Sequence, residues 1–151
     1  MNRLTGIVRC YYRISNFAVH LVPALDVLLR LVLANVFLKS GLTKIQSWDS
    51  TLYLFREEYR VPFLPPDFAA WLATGAELGL PVLLVLGLGG RFAALGLFIL
   101  NAVAAISYYS ALSEAGLNQH FYWGLLLLVL LLHGCGEWSL DAWLEKKVSE
   151  P

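Results

Sequence analysis

Charge is the first thing this sequence is short of. Only 15% of its 151 residues are Asp, Glu, Lys or Arg, against about 25% in a soluble domain. The charges balance to a net of zero, so nothing points to a nucleic-acid partner. Cysteine is scarce as well. Cys10 and Cys135 are the only two, and they form no CxxC. A disulfide framework, a dithiol redox centre and a zinc site are therefore unsupported, and no metal is expected. Both cysteines are expected as small apolar packing residues. Apolar side chains are what the chain has in excess: 58% of the residues, with a mean hydropathy of +0.64. The length fits one domain over residues 1–151, and the composition is that of an integral membrane protein.

Four apolar runs stand out, over about 24–43, 68–88, 91–112 and 119–134. A spanning helix needs about 20 residues, with about 17 as a working minimum. Three runs meet that; the fourth, "NQHFYWGLLLLVLLLHG", sits at the limit but is uncharged and rich in leucine. No run is followed by an A-x-A cleavage pattern, so no removable signal peptide is expected. With the N-terminus inside, Arg3, Arg9, Arg13, Arg91, Lys146 and Lys147 are cytoplasmic, and only Lys44, Arg56 and Arg60 are outside. The positive-inside rule thus places both termini in the cytoplasm. Trp48, Trp71, Tyr108, Tyr109, Tyr122 and Trp123 gather at the outer ends, and Tyr11, Tyr12, Trp138 and Trp143 at the inner ends. Those are the two belts that amphipathic rings prefer.

The segments between the runs are amphipathic. Ile7, Tyr11, Ile14, Ala18 and Leu21 recur at helical spacing, with Arg9, Arg13, Asn16 and His20 on another face. That pattern predicts an interfacial helix over about 6–22. Trp48, Leu52, Phe55 and Tyr59 predict a second over about 48–60, ended by Val61-Pro62. A third is expected over about 139–147, with Ser139 as N-cap. The short "GLGG" connection makes the second and third runs antiparallel neighbours. The expected fold is all-α: a four-transmembrane-helix up-down bundle with short interfacial helices.

The polar residues within the runs carry the functional question. Asp26, Phe37, Gly41 and Lys44 share a helical face with Arg30, while Asn35 and Lys39 fall on the opposite one, at about 100° per residue. Lys44 reaches the water boundary, and Lys39 can snorkel towards it. Arg30 lies deeper; a cation at a helix centre costs at least about 2.5 kcal/mol on insertion scales. It needs a partner. Glu77, near the middle of the second run, is the first candidate, and Asp26 the second. Asn101 reaches mid-depth on the face of the third run that begins with Arg91; His120 and Gly124 share a face in the fourth. The picture is a polar core of Arg30, Glu77 and Asn101, with Lys44 and His120 towards the outside and Arg91 at the inner rim. It reads either as a structural pin or as a site for a small ligand, proton or head group. Only His20 and His133 share a depth, and His20 precedes Pro23, so a bis-histidine haem is not expected. Gly75 and Gly79 form a GxxxG that permits close helix packing.

These motifs, in order, resemble a known family. The first run reads Arg30-x6-Phe37-x3-Gly41-x2-Lys44, and the outer loop carries "YRVPFLPP". The second gives Glu77-x9-Gly87-x3-Arg91, and the end reads "HFYWGLLLLVLLLHGCGEWSLDAWL". Over about residues 24–144 the chain is similar to the DoxX family of small four-helix bacterial inner-membrane proteins. The resemblance implies association with quinol oxidase or thiosulfate:quinone oxidoreduction. In other members it implies oxidative-stress complexes or secreted metal-responsive peptides. The positions it carries over are Arg30, Gly41, Lys44, Glu77 and Arg91. Lys39, Asn35 and Cys135 depart from the pattern, and Lys39 with Asn35 suits contact with a partner protein.

Three functions follow as expectations. The first is a redox-associated subunit that holds a quinone or its head group at the Arg/Glu core. Any electron carrier would then lie in a partner. The second is a non-catalytic membrane adaptor for a partner enzyme, redox or biosynthetic, or for a secreted metal-responsive peptide system. The third is a small transporter, which with four spans would need a homo-oligomer; no inverted repeat is evident. No catalytic constellation is visible.

Overall fold

The computed structural model describes residues 3–59 and 61–149. Arg60, counted above among the outer basic residues, lies outside them, as do residues 1, 2, 150 and 151. Seven helices make up the described residues: α1 Arg3–Val19, α2 Val22–Gln46, α3 Trp48–Glu57, α4 Pro66–Leu86, α5 Gly90–Ser107, α6 Glu114–His133 and α7 Leu140–Ser149.

Local chemistry accounts for most of the boundaries. Pro66 opens α4, where its missing N–H costs nothing. Gly87 closes α4 with φ 65°, a left-handed conformation that favours glycine. Leu88 then donates back to the Leu83 carbonyl at 3.0 Å. A Cβ at Gly87 would also stand 2.8 Å from Arg30 Nη1. Ser113 caps α6 by accepting from the Gly116 N–H at 3.2 Å. That cap starts α6 ahead of the apolar run expected from position 119. The third run, expected to 112, ends as helix at Ser107, and a turn follows in which Ala111 and Leu112 both donate to the Tyr108 carbonyl. Helix α3 stops at Glu57, short of Val61-Pro62. Ser139 caps α7 as expected, accepting from the Ala142 N–H at 3.2 Å.

Helices α4, α5 and α6 are long and apolar enough to cross a membrane, with mean hydropathies of 1.7, 1.6 and 1.4. Helix α2 alone carries too much charge, in Asp26, Arg30, Lys39 and Lys44; taken with α1, from which it bends by 41°, it qualifies. The exterior supports the same solvent. Leu28, Leu31, Ile99, Val129 and Leu132 are all exposed, an apolar surface far larger than a water-soluble monomer tolerates. This is a helical membrane protein.

Opposed contacts define the packing. Along α2 and α4, Lys44 meets Glu77, Gly41 meets Leu78, and Arg30 meets Val85. Along α5 and α6, Asn101 meets His120, and Gly90 meets Cys135 just beyond the end of α6. Gly96 of α5 faces Leu80 of α4, and Phe37 of α2 stacks edge-on with Trp123 of α6 at 6.5 Å. The shared core is Leu33, Phe37, Leu84, Leu97, Leu127 and Leu130. A satellite cluster of Phe55, Ala69 and Ala70 seats α3 on α4. Interhelical packing of this kind holds by close dispersion contact, because lipid tails are as apolar as leucine. Gly41 marks a close approach of α2 to α4. A Cβ there would come within 2.9 Å of Leu78 and 3.0 Å of Glu77.

Candidate functional site

The polar residues fall into two groups at opposite ends of the helix bundle. Near α3, a cavity of about 600 Å³ lies between α2, α4, α5 and α6. Phe55 and Tyr59 cover its α3 side, and Lys44, Glu77, Asn101, Ser107, His120 and Trp123 reach its wall. Its size falls within the range of about 300–1,000 Å³ typical of small-molecule sites. Most of the remaining lining is apolar, including Phe37, Leu80 and Val103.

An ion pair sets the charge there. Lys44 Nζ donates to Glu77 Oε1 at 2.8 Å, to Oε2 at 2.7 Å and to Ser40 Oγ at 2.9 Å. Ser40 Oγ in turn donates to Glu77 Oε1 at 3.2 Å. The side chains are 17% and 9% exposed. A buried carboxylate needs both a counter-charge and hydrogen bonds, and this triad supplies them. Across the cavity Asn101 Nδ2 donates to the His120 carbonyl at 2.8 Å, and Asn101 Oδ1 pairs with His120 Nδ1 at 2.8 Å. Gly124 lies beside that pairing: a Cβ there would stand in ordinary contact with Asn101 Nδ2 at 3.4 Å. Tyr59 stacks edge-on with Tyr108 at 4.9 Å, and Tyr108 donates to Glu58 at 3.1 Å. Burial pushes the Tyr59 phenol above its usual range, with like charges on Tyr108, Glu58 and Glu77 adding to it. It therefore stays protonated and keeps a donor near the cavity mouth.

Arg30 is elsewhere, and the expected Arg30–Glu77 pair does not form. Arg30 is 2% exposed and lies near α7. Its Nη2 donates to the Trp138 carbonyl at 2.7 Å, its Nη1 to Val85 at 3.0 Å, and its Nε to the Asp26 carbonyl at 3.3 Å. The reason is register. Lys44 already opposes Glu77, and Arg30 lies about 21 Å further along α2 at about 1.5 Å per residue. There it meets the C-terminal end of α4, where carbonyls lack intrahelical partners and the helix dipole is negative. Asp26, the second candidate, offers Arg30 its carbonyl; its carboxylate faces His133 Nε2 at 3.5 Å. Around this clamp, Asp141 ties α7 to the α4–α5 turn. Its carboxylate accepts from the Gly89 and Gly90 N–H groups, each at 2.8 Å, and its own N–H donates to Gly87 at 2.9 Å.

The expected single core is thus divided. Glu77, Lys44, Asn101 and His120 come together at the cavity; Arg30 joins the clamp near α7. Arg91 is exposed, beside Gly134, and touches neither group's hydrogen bonds. Lys39 and Asn35 are exposed on α2, on the far side from Arg30. Sequence reasoning missed Ser40, Ser107 and Asp141. Ser40 had a signal, one helical turn before Lys44. Ser107 shares no stripe with Asn101, and Asp141 acts on backbone N–H groups that no motif marks.

The DoxX family model matches residues 25–110, which takes in α2 to α5 and the cavity residues Lys44, Glu77, Asn101 and Ser107. A Haemophilus influenzae protein, named only as uncharacterized, is 35% identical over 130 residues, covering 79% of this chain and 82% of the relative. No solved structure matches. Motif order, helical membrane fold and family match agree: this chain belongs to the DoxX family.

Proposed function

We propose that the protein is a four-span subunit of the bacterial inner membrane that holds a quinone or similar lipid-soluble ring in the cavity near α3. It serves a redox system whose electron carrier belongs to a partner. The cavity carries this reading: it joins apolar walls to a few convergent polar groups, as small-molecule sites do. Two lining residues, Leu72 and Ile99, are also 53% and 54% exposed on the lipid-facing surface. A ligand dissolved in the bilayer can enter between α4 and α5 there.

In this topology α2, α4, α5 and α6 cross in alternation, and the basic residues place both termini in the cytoplasm. The cavity then lies in the outer half and the Arg30 clamp in the inner half. Helix α1 lies in the inner interface, with Ile7, Tyr11 and Ile14 exposed for burial among lipid. The Arg30 clamp is structural.

The test is equilibrium binding of a short-chain benzoquinone and of its hydroquinone to protein in nanodiscs, wild type beside Ala76→Phe, which fills the cavity from α4. Saturable binding lost in the variant supports the reading. Equal binding, or none in either, overturns it.

One observation favours a second role as a docking subunit. Lys39 and Asn35 are both exposed on a helix face that otherwise shows Leu28, Leu31 and Leu42. Polar groups facing lipid are costly, and a neighbouring protein would remove that cost. Crosslinking from position 35 at native expression should capture one specific partner; lipid adducts alone would refute the docking role.

A further inference from the structure

The hydrogen-bond inventory of the cavity restricts the ligand. This rests on the cavity being a ring site, as proposed above. Lys44 uses all three of its hydrogens on Ser40 and Glu77. Asn101 is fixed in orientation, because only its Nδ2 can donate to the His120 carbonyl. Its Oδ1 is therefore the atom that meets His120 Nδ1. An oxygen of that kind only accepts, so Nδ1 carries the hydrogen. In the neutral ring Nε2 is then a bare acceptor. Among the described residues no group donates to Nε2, and the ring lines the cavity. A second unpaired group also lines the cavity. Ser107 is 8% exposed, and its Oγ is the one buried side-chain nitrogen or oxygen without a partner among the described residues. Leaving a buried hydroxyl unpaired is unfavourable, which points to an oxygen or nitrogen of a bound molecule.

A quinone ring offers only acceptors. Its carbonyl would set lone pairs against the Nε2 lone pair, unless the imidazole changed tautomer and gave up its bond to Asn101. A hydroxyl has no such conflict. We propose that the cavity selects the hydroxylated form of its ring ligand, a hydroquinone or phenol, over the quinone. One ring hydroxyl donates to His120 Nε2, and another polar group satisfies Ser107. Asn101 is a positioning residue that fixes the tautomer.

The test compares three probes of one skeleton under anaerobic conditions: an alkyl hydroquinone, its dimethyl ether and the corresponding quinone. Binding to nanodisc protein is measured by calorimetry, with ¹⁵N-histidine spectra of the same samples. The hydroquinone should bind about tenfold tighter than either, the effect of one neutral hydrogen bond. The spectra should show His120 protonated at Nδ1. Asn101→Leu should bring the ratio towards one, which a merely structural role would not do. Equal affinities, tighter quinone binding or the opposite tautomer in wild type overturns the proposal and leaves the ring site standing. Failure of all three probes to bind removes the ring site as well. The wild-type ratio and spectrum decide the matter even if the variant does not fold.

Discussion

Replacing Lys44 with Met isolates the ion pair in the cavity. The substitution keeps the apolar stem and leaves the Glu77 carboxylate with only Ser40 as a donor. Breaking a buried pair by removing one partner costs about 3–5 kcal/mol. Lys44 keeps 17% of its exposure, so the lower end, about 3 kcal/mol, is expected. For a chain of this length that lowers the thermal midpoint by about 6–12 °C. Glu77→Met should cost less, because the stranded ammonium is the more exposed partner and can turn towards water. Replacing both with Met removes the charges together, and a buried pair exchanged for apolar side chains is often near neutral. The double variant should therefore be more stable than Lys44→Met alone, with a coupling of at least about 2 kcal/mol. The assay is unfolding in mild detergent, followed by tryptophan fluorescence, for all four proteins. Additive losses would refute the reasoning, since they would mean that the two groups do not interact.

Other outcomes follow from the same geometry. Arg30→Met should destabilise by about 2–3 kcal/mol by stranding the Val85 and Trp138 carbonyls and speed hydrogen exchange in residues 134–149, because the Trp138 contact is lost; unchanged exchange there would contradict the clamp. Asp141→Ala should cost about 1 kcal/mol by uncapping α5, again with faster exchange in α7. Gly41→Ala should cost about 1–3 kcal/mol by overpacking against Leu78 and Glu77, while Gly75→Ala, with open space around it, should cost almost nothing. Tyr59 titrates above its unfolded value of about 10, so its contribution to stability is complete below that pH and is lost as pH rises through the folded value. Tyr59→Phe should therefore flatten the decline of the thermal midpoint above about pH 10, where the unfolded phenol starts to ionise. An unchanged decline would refute the assignment.

Helix existence was legible in the sequence because apolar runs, prolines and glycines mark it directly. Ser139 shows how local chemistry reads through to structure, as the expected cap of α7. The two faces of α2 were legible too, since the angle per residue separates Lys39 and Asn35 from Arg30. Partner choice was not. Pairing Arg30 with Glu77 assumed that two residues near mid-helix lie at one depth, whereas interhelical register decides depth, and Gly41 against Leu78 sets that register. Carbonyls are a further blind spot. Arg30 is satisfied entirely by backbone oxygens of Asp26, Val85 and Trp138, and any residue type supplies those. The Asn101–His120 pairing needed two helices in contact before either residue meant more than a polar interruption. Ser107 became informative only once its lack of a partner could be seen.

A lipid-soluble ring held in the cavity, as proposed above, should stay with the protein through purification. The most direct measurement is mass spectrometry of organic extracts from protein purified in mild detergent, wild type beside Ala76→Phe. A quinone or hydroquinone near one per chain is expected in the wild type and little in the variant. Equal amounts in both, or no ring compound in either, would contradict it.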